Sequence, residues 1–89
     1  MKVLVTYRKI CKKTGQENSQ NFEMDIFDAQ INLMDGFWLL NLENSKTEIT
    51  FEVYQGGQYI INVSITKEKP QTLHLKFYDF DVFLSMETF

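Results

Sequence analysis

Apolar and polar residues alternate with a period of two along much of the chain, the mark of strands with one buried and one exposed face. The pattern is cleanest at Ile49, Phe51, Val53 and at Tyr59, Ile61, Val63, Ile65, with Glu48, Thr50, Glu52 and Asn62, Ser64, Thr66 in the gaps. Phe22, Met24 and Ile26 alternate in the same way with Glu23 and Asp25. A further strand is expected from Lys2 to Cys11, rich in β-branched and aromatic residues. The polar stretch from Lys12 to Asn21, containing Gly15, turns the chain back into 22–27, so a hairpin is expected there.

Residues opposed across a hairpin share a face, so turn length can be tested against the pattern. A two-residue Gly56-Gly57 turn would set Val53 against Ile60 and Phe51 against Asn62, apolar stripe against polar. A three-residue loop, Gln55-Gly56-Gly57, sets Phe51 against Ile61 and Ile49 against Val63, with Gly57 left-handed. A four-residue loop, Asn44 to Thr47, likewise pairs Leu42 with Ile49, Leu40 with Phe51 and Trp38 with Val53. A turn over Lys67 to Gln71 pairs Ile65 with Leu73, Val63 with Leu75 and Ile61 with Phe77. Trp38, Leu40 and Leu42 then fall on the core face, where Trp38 is a packing anchor. The opposite face collects Phe37, Leu39, Tyr54 and Ile60 around Glu52.

A monomer rarely leaves an apolar patch of more than a few hundred Å² uncovered. Three covers suit Phe37, Leu39, Tyr54 and Ile60. One is internal, from Ile31 and Met34 or from Val3, Val5 and Phe22; the others are a second copy of the chain and a partner protein. These four residues are the candidate contact site.

Asp28 to Gly36 is the single helix candidate, a short helix near residues 29–35 capped by Asp28 and ended by Gly36. After Phe77 the apolar phase moves to Tyr78, Phe80, Val82 and Leu84. A β-bulge at Phe77–Tyr78 accounts for the shift; the alternative is a short helix over Asp81–Thr88. The fold class expected is mainly β: an antiparallel meander of about six strands, curled into a small barrel or covered sheet, forming one domain over residues 1–89.

Composition narrows the function. Of the 89 residues 44% are hydrophobic and 15% aromatic, which excludes wholesale disorder. A lone cysteine, Cys11, forms no internal disulfide, and a lone histidine, His74, completes no zinc site. Charges interrupt every early apolar run, so no signal peptide is expected and the cytoplasm is the expected compartment. No catalytic group, metal site or cofactor is expected. His74 has no nucleophile placed beside it by any motif, and Asp79 with Asp81 lacks a third ligand.

Net charge is −3 but unevenly spread. Residues 1–13 hold five basic groups and no acid, while 14–45 hold six acids and no base. Cross-strand pairing between the two is the plain consequence; an acidic face that steers a basic partner is the sharper one. Tyr7-Arg8-Lys9 with Lys12-Lys13 could instead bind single-stranded nucleic acid, although alternation splits Arg8 from Lys9 across the sheet.

Short, mildly acidic, with one alanine (Ala29) and many Lys, Asn, Ile and Phe, the chain resembles the small inhibitor and immunity proteins of bacteria and their phages. That resemblance implies a stoichiometric protein-binding module that occludes a larger partner, without enzymatic activity. The other readings are the nucleic-acid binder just described and an assembly subunit of a homo-oligomer.

Overall fold

The computed structural model describes residues 2–45 and 47–89. It contains eight strands: β1 (Lys2–Cys11), β2 (Glu17–Asp25), β3 (Gln30–Asn32), β4 (Phe37–Asn44), β5 (Glu48–Gln55), β6 (Gln58–Thr66), β7 (Gln71–Lys76) and β8 (Phe80–Thr88). They form two four-stranded antiparallel sheets, ordered β2–β1–β8–β7 and β3–β4–β5–β6. The mainly β, antiparallel expectation holds, with eight strands in place of about six and two packed sheets in place of one meander curled into a small barrel or covered sheet. No helix among the described residues is long and apolar enough to cross a membrane.

The core lies between the sheets. Val3, Val5, Tyr7, Met24, Val82, Leu84 and Met86 from the first meet Phe37, Leu39, Ile49, Phe51, Val53, Val63 and Ile65 from the second. Tyr7, Phe37, Phe77 and Phe80 close one end as an aromatic cluster, with the Tyr7 and Phe37 rings 5.6 Å apart and Phe37 edge-on to Phe77 at 5.7 Å.

The first hairpin forms as expected: Val3 opposes Met24 and Val5 opposes Phe22. The segment expected to be helical is instead β3 and a tight turn. Asp35 (φ 56°) and Gly36 (φ 79°) are both left-handed, as a type I′ turn requires, and the Phe37 N–H donates to the Met34 carbonyl at 2.9 Å. Asp28 does not cap a helix; its Oδ2 accepts the Asp25 N–H, while the Ala29 carbonyl is taken by the Asn41 N–H. A helix of two turns is marginal alone, and here β4 offers the same backbone groups a ladder.

Three expected registers also change. The Gly56-Gly57 turn has two residues, with Gln55 opposite Gln58, and the left-handed glycine is Gly56 (φ 59°), not Gly57. A bulge at Ile60 then restores the apolar phase, so Phe51 faces Val63 and Ile49 faces Ile65. A second bulge at Leu42 breaks the β4–β5 register: Leu39 opposes Val53, Trp38 opposes Tyr54, and Asn44 opposes Ile49. Of the expected Asn44–Thr47 loop, Lys46 lies outside the described residues. Neither bulge shows in the alternation, because each adds one residue without adding a turn signal.

The expected β6–β7 hairpin does not form. The 67–70 segment is a corner that carries the chain back to the first sheet, where β7 pairs with β8, Leu73 opposite Leu84 and Leu75 opposite Val82. The phase shift after Phe77 is neither bulge nor helix; it is the β7–β8 turn, closed by the Phe77 N–H on the Phe80 carbonyl at 3.0 Å.

Candidate functional site

Burial of Phe37 and Leu39 divides the sequence-expected cluster. Their side chains are 2% and 0% exposed, inside the core. Ile60 sits at the bulge, partly buried against that core. Tyr54 alone of the four lies on the outer face of the β3–β4–β5–β6 sheet. Moving β4 by one position exchanges its faces, so Trp38, expected in the core, is on the outside with Tyr54.

There the two rings stack, centroids 4.3 Å apart and planes 11° from parallel, and Tyr59 meets Tyr54 edge-on at 5.8 Å. Both pairs are cross-strand neighbours, Trp38 opposite Tyr54 and Tyr54 opposite Tyr59. Trp38 is held from behind: its Nε1–H donates to the Gly56 carbonyl at 2.8 Å, and the Gly56 N–H donates to the Gly36 carbonyl at 2.8 Å. The Tyr54 hydroxyl donates to Glu52 Oε1 at 3.0 Å, which raises the phenol pKa, burial adding to the effect. Tyr59 is 47% exposed. Rigid, amphipathic aromatics of this kind lose little entropy on contact.

Charge is sorted by sheet. Strands β3 to β6 contain Glu43, Glu48 and Glu52 and no Lys, Arg or His. Glu48, Thr50, Glu52 and Tyr54 follow one another along the outer row of β5, whose inward row is Ile49, Phe51, Val53. Six residues of strand separate Glu48 from Tyr54, roughly 20 Å. Beside Glu48, a depression of about 240 Å³ is lined by Glu43, Ser45, Thr47, Glu48 and Thr50.

Arg8, Lys9, Lys12 and His74 lie on the side of the other sheet, and each has partners. Arg8 Nε lies 3.3 Å from Glu17, with its guanidinium over the Phe83 ring. Lys9 Nζ lies 3.6 Å from Asp35 and over the Phe80 ring. Lys12 Nζ donates to the Phe77 carbonyl at 2.6 Å and is 3.9 Å from Asp81. His74 stacks on Phe83 at 4.3 Å and contacts Asp81 at 3.1 Å. Asp81 is thus spent on a histidine and a lysine, while Asp79 sits in the β7–β8 turn, its carbonyl accepting the Lys12 N–H. Among the described residues no three His, Cys, Asp or Glu gather as a metal site. Cys11 is half-buried, its thiol pKa lowered chiefly by a hydrogen bond with Thr14.

The sequence reading missed Trp38 because it set β4 in the wrong phase, and Tyr59 because it gave the Gly56-Gly57 turn a third residue in place of the bulge at Ile60. One signal could have corrected it. Asp35-Gly36 is a strong hairpin dipeptide, and a hairpin there puts Ile31 opposite Leu39, which turns Phe37 and Leu39 inward and Trp38 out.

No family model matches the chain, and comparison with curated proteins and with solved structures finds no match. The class that fold and site define is a two-sheet antiparallel β protein with an acidic, aromatic outer face.

Proposed function

We propose that this protein is a non-enzymatic, protein-binding module of the cytoplasm, a stoichiometric inhibitor that holds a basic partner on the outer face of the β3–β4–β5–β6 sheet. The observation that carries the reading is the union, on one face, of ordered aromatics with strands whose only charged residues are acidic. Tyr and Trp are the residues that dominate binding energy at protein interfaces, and Trp38, Tyr54 and Tyr59 form one group, Trp38 stacked on Tyr54 and Tyr59 edge-on to it. Glu43, Glu48 and Glu52 supply a field that steers a cationic surface. The depression beside Glu43 and Glu48 is of a size to take a lysine or arginine head.

Single-stranded nucleic acid suits the molecule less well. The sheet with the stacked aromatics is acidic, and Arg8, Lys9 and Lys12 are engaged with Glu17, Asp35 and Asp81.

Affinity capture from the native host tests the reading, run in parallel with wild type and Tyr59→Ala. A basic protein retained one-to-one by wild type, lost from the variant and released by salt is the expected result. A retained protein indifferent to Tyr59 and to ionic strength would refute this face as the binding site.

A further inference from the structure

Four strands form the sheet edges, and three are protected. β2 carries Glu17, Glu23 and Asp25; β7 is six residues long, follows Pro70 and ends on Lys76; β3 has three residues. The fourth, β6, runs nine residues, Gln58–Thr66, with no charge, proline or glycine. Charges, prolines, short length and bulges are the devices that keep sheet edges from pairing with other chains; β6 has only the last, its bulge at Ile60, beyond which Ile61–Thr66 runs in regular register with β5. Its side chains are correspondingly open: Ile61 is 37% exposed, although its neighbour across the ladder, Val53, is fully buried.

We infer that β6 pairs antiparallel with β6 of a second copy of this chain, about a two-fold axis at Asn62, joining two four-stranded sheets into one of eight strands. A second copy fits this edge because the strand is its own complement. A dyad at Asn62 sets Ile61 opposite Val63 of the other copy, both on the inward row, so the exposed Ile61 gains an apolar neighbour twice over. On the outer row Asn62 meets itself, and a carboxamide both donates and accepts. No like charges oppose across an uncharged strand. The nearest acids, Glu52 on each copy's β5, stand three strand spacings apart, roughly 14 Å, beyond the screening length of about 8 Å at physiological salt. The pairing is isologous and closes at two copies, since the far edge is the three-residue β3. This inference does not rest on the basic-partner reading. It would bring two Trp38–Tyr54–Tyr59 groups onto one continuous face.

Sedimentation equilibrium from micromolar to millimolar concentration tests it, with circular dichroism as the check on folding. Wild type should approach twice the monomer mass. Asn62→Asp, at an exposed position opposite Glu52, sets two carboxylates face to face across the dyad and, with an unchanged circular dichroism spectrum, should weaken the dimer about tenfold or more. Thr72→Asp, on the β7 edge, should leave it unchanged. A wild type that stays monomeric throughout, one that grows into open-ended polymers, or a dimer indifferent to Asn62→Asp would each overturn the inference.

Discussion

The indole N–H of Trp38 donates to the backbone carbonyl of Gly56 at 2.8 Å, tying the β5–β6 turn to β4. Gly56 is left-handed and Gly57 is not, the arrangement of a type II′ turn. Gly56→Val should therefore destabilise the protein by about 1–2 kcal/mol, since a β-branched residue resists that conformation. Gly57→Ala should change stability by only a few tenths of a kcal/mol. Denaturant unfolding followed by Trp38 emission reads both, because the chain has one tryptophan.

Leu39 and Tyr59 were expected to lie on opposite faces, and they do, but in reverse. A charge at Leu39 enters the core, so Leu39→Asp should abolish the cooperative unfolding transition. Tyr59→Asp should leave the far-ultraviolet spectrum and melting temperature close to wild type. If the two variants behave alike, the assignment of faces on β4 and β6 fails.

Tyr7 donates its hydroxyl to Asp35 Oδ2 at 2.9 Å. Burial, then the hydrogen bond and the charge of Asp35, push the phenol well above its ordinary value of 10.0. A raised folded-state pKa contributes stability below the unfolded value that is lost as pH rises. Stability should therefore hold up to about pH 10 and decline above it, and Tyr7 should ionise only as the chain unfolds. Tyr7→Phe should cost about 1–2 kcal/mol at neutral pH and remove the late phase of phenolate absorbance.

If the acidic face steers a basic partner, association should slow as salt rises past roughly 0.15 M, where screening acts within about 8 Å. Gel shifts with random single-stranded DNA and RNA should show no tight complex. Tight binding, lost when Lys12 and Lys13 are replaced by Ala and falling steeply with salt, would move the function to the β1 side.

His74, Cys11, Asp79 and Asp81 should each tolerate alanine without loss of biological activity. Removing His74 breaks its contacts with Asp81 and Phe83. A near-complete loss of activity from His74→Ala with an unchanged circular dichroism spectrum would point to chemistry after all.

Period-two alternation by itself determined most of the strands and much of the core, though not β3 or the division of β7 from β8. Ile49, Phe51, Val53, Val63 and Ile65 face inward as expected, and the Lys2–Cys11 strand and its hairpin with β2 are present. Parity survives because an apolar row must be buried whichever partner lies across it. Partnership is a different matter. Ile65 and Leu73 both point inward whether β6 and β7 form a hairpin or face each other across a core, so alternation cannot distinguish the two. The choice falls at the 67–70 corner, where packing two sheets face to face buries more apolar surface than one long meander. The bulges at Leu42 and Ile60 are decided at the same level. Each lets a strand satisfy its ladder while meeting the opposite sheet in phase, and the one at Leu42 sends Phe37 and Leu39 inward and Trp38 out. The outer aromatic face is thus a product of sheet-on-sheet packing, which no local pattern in β4 records.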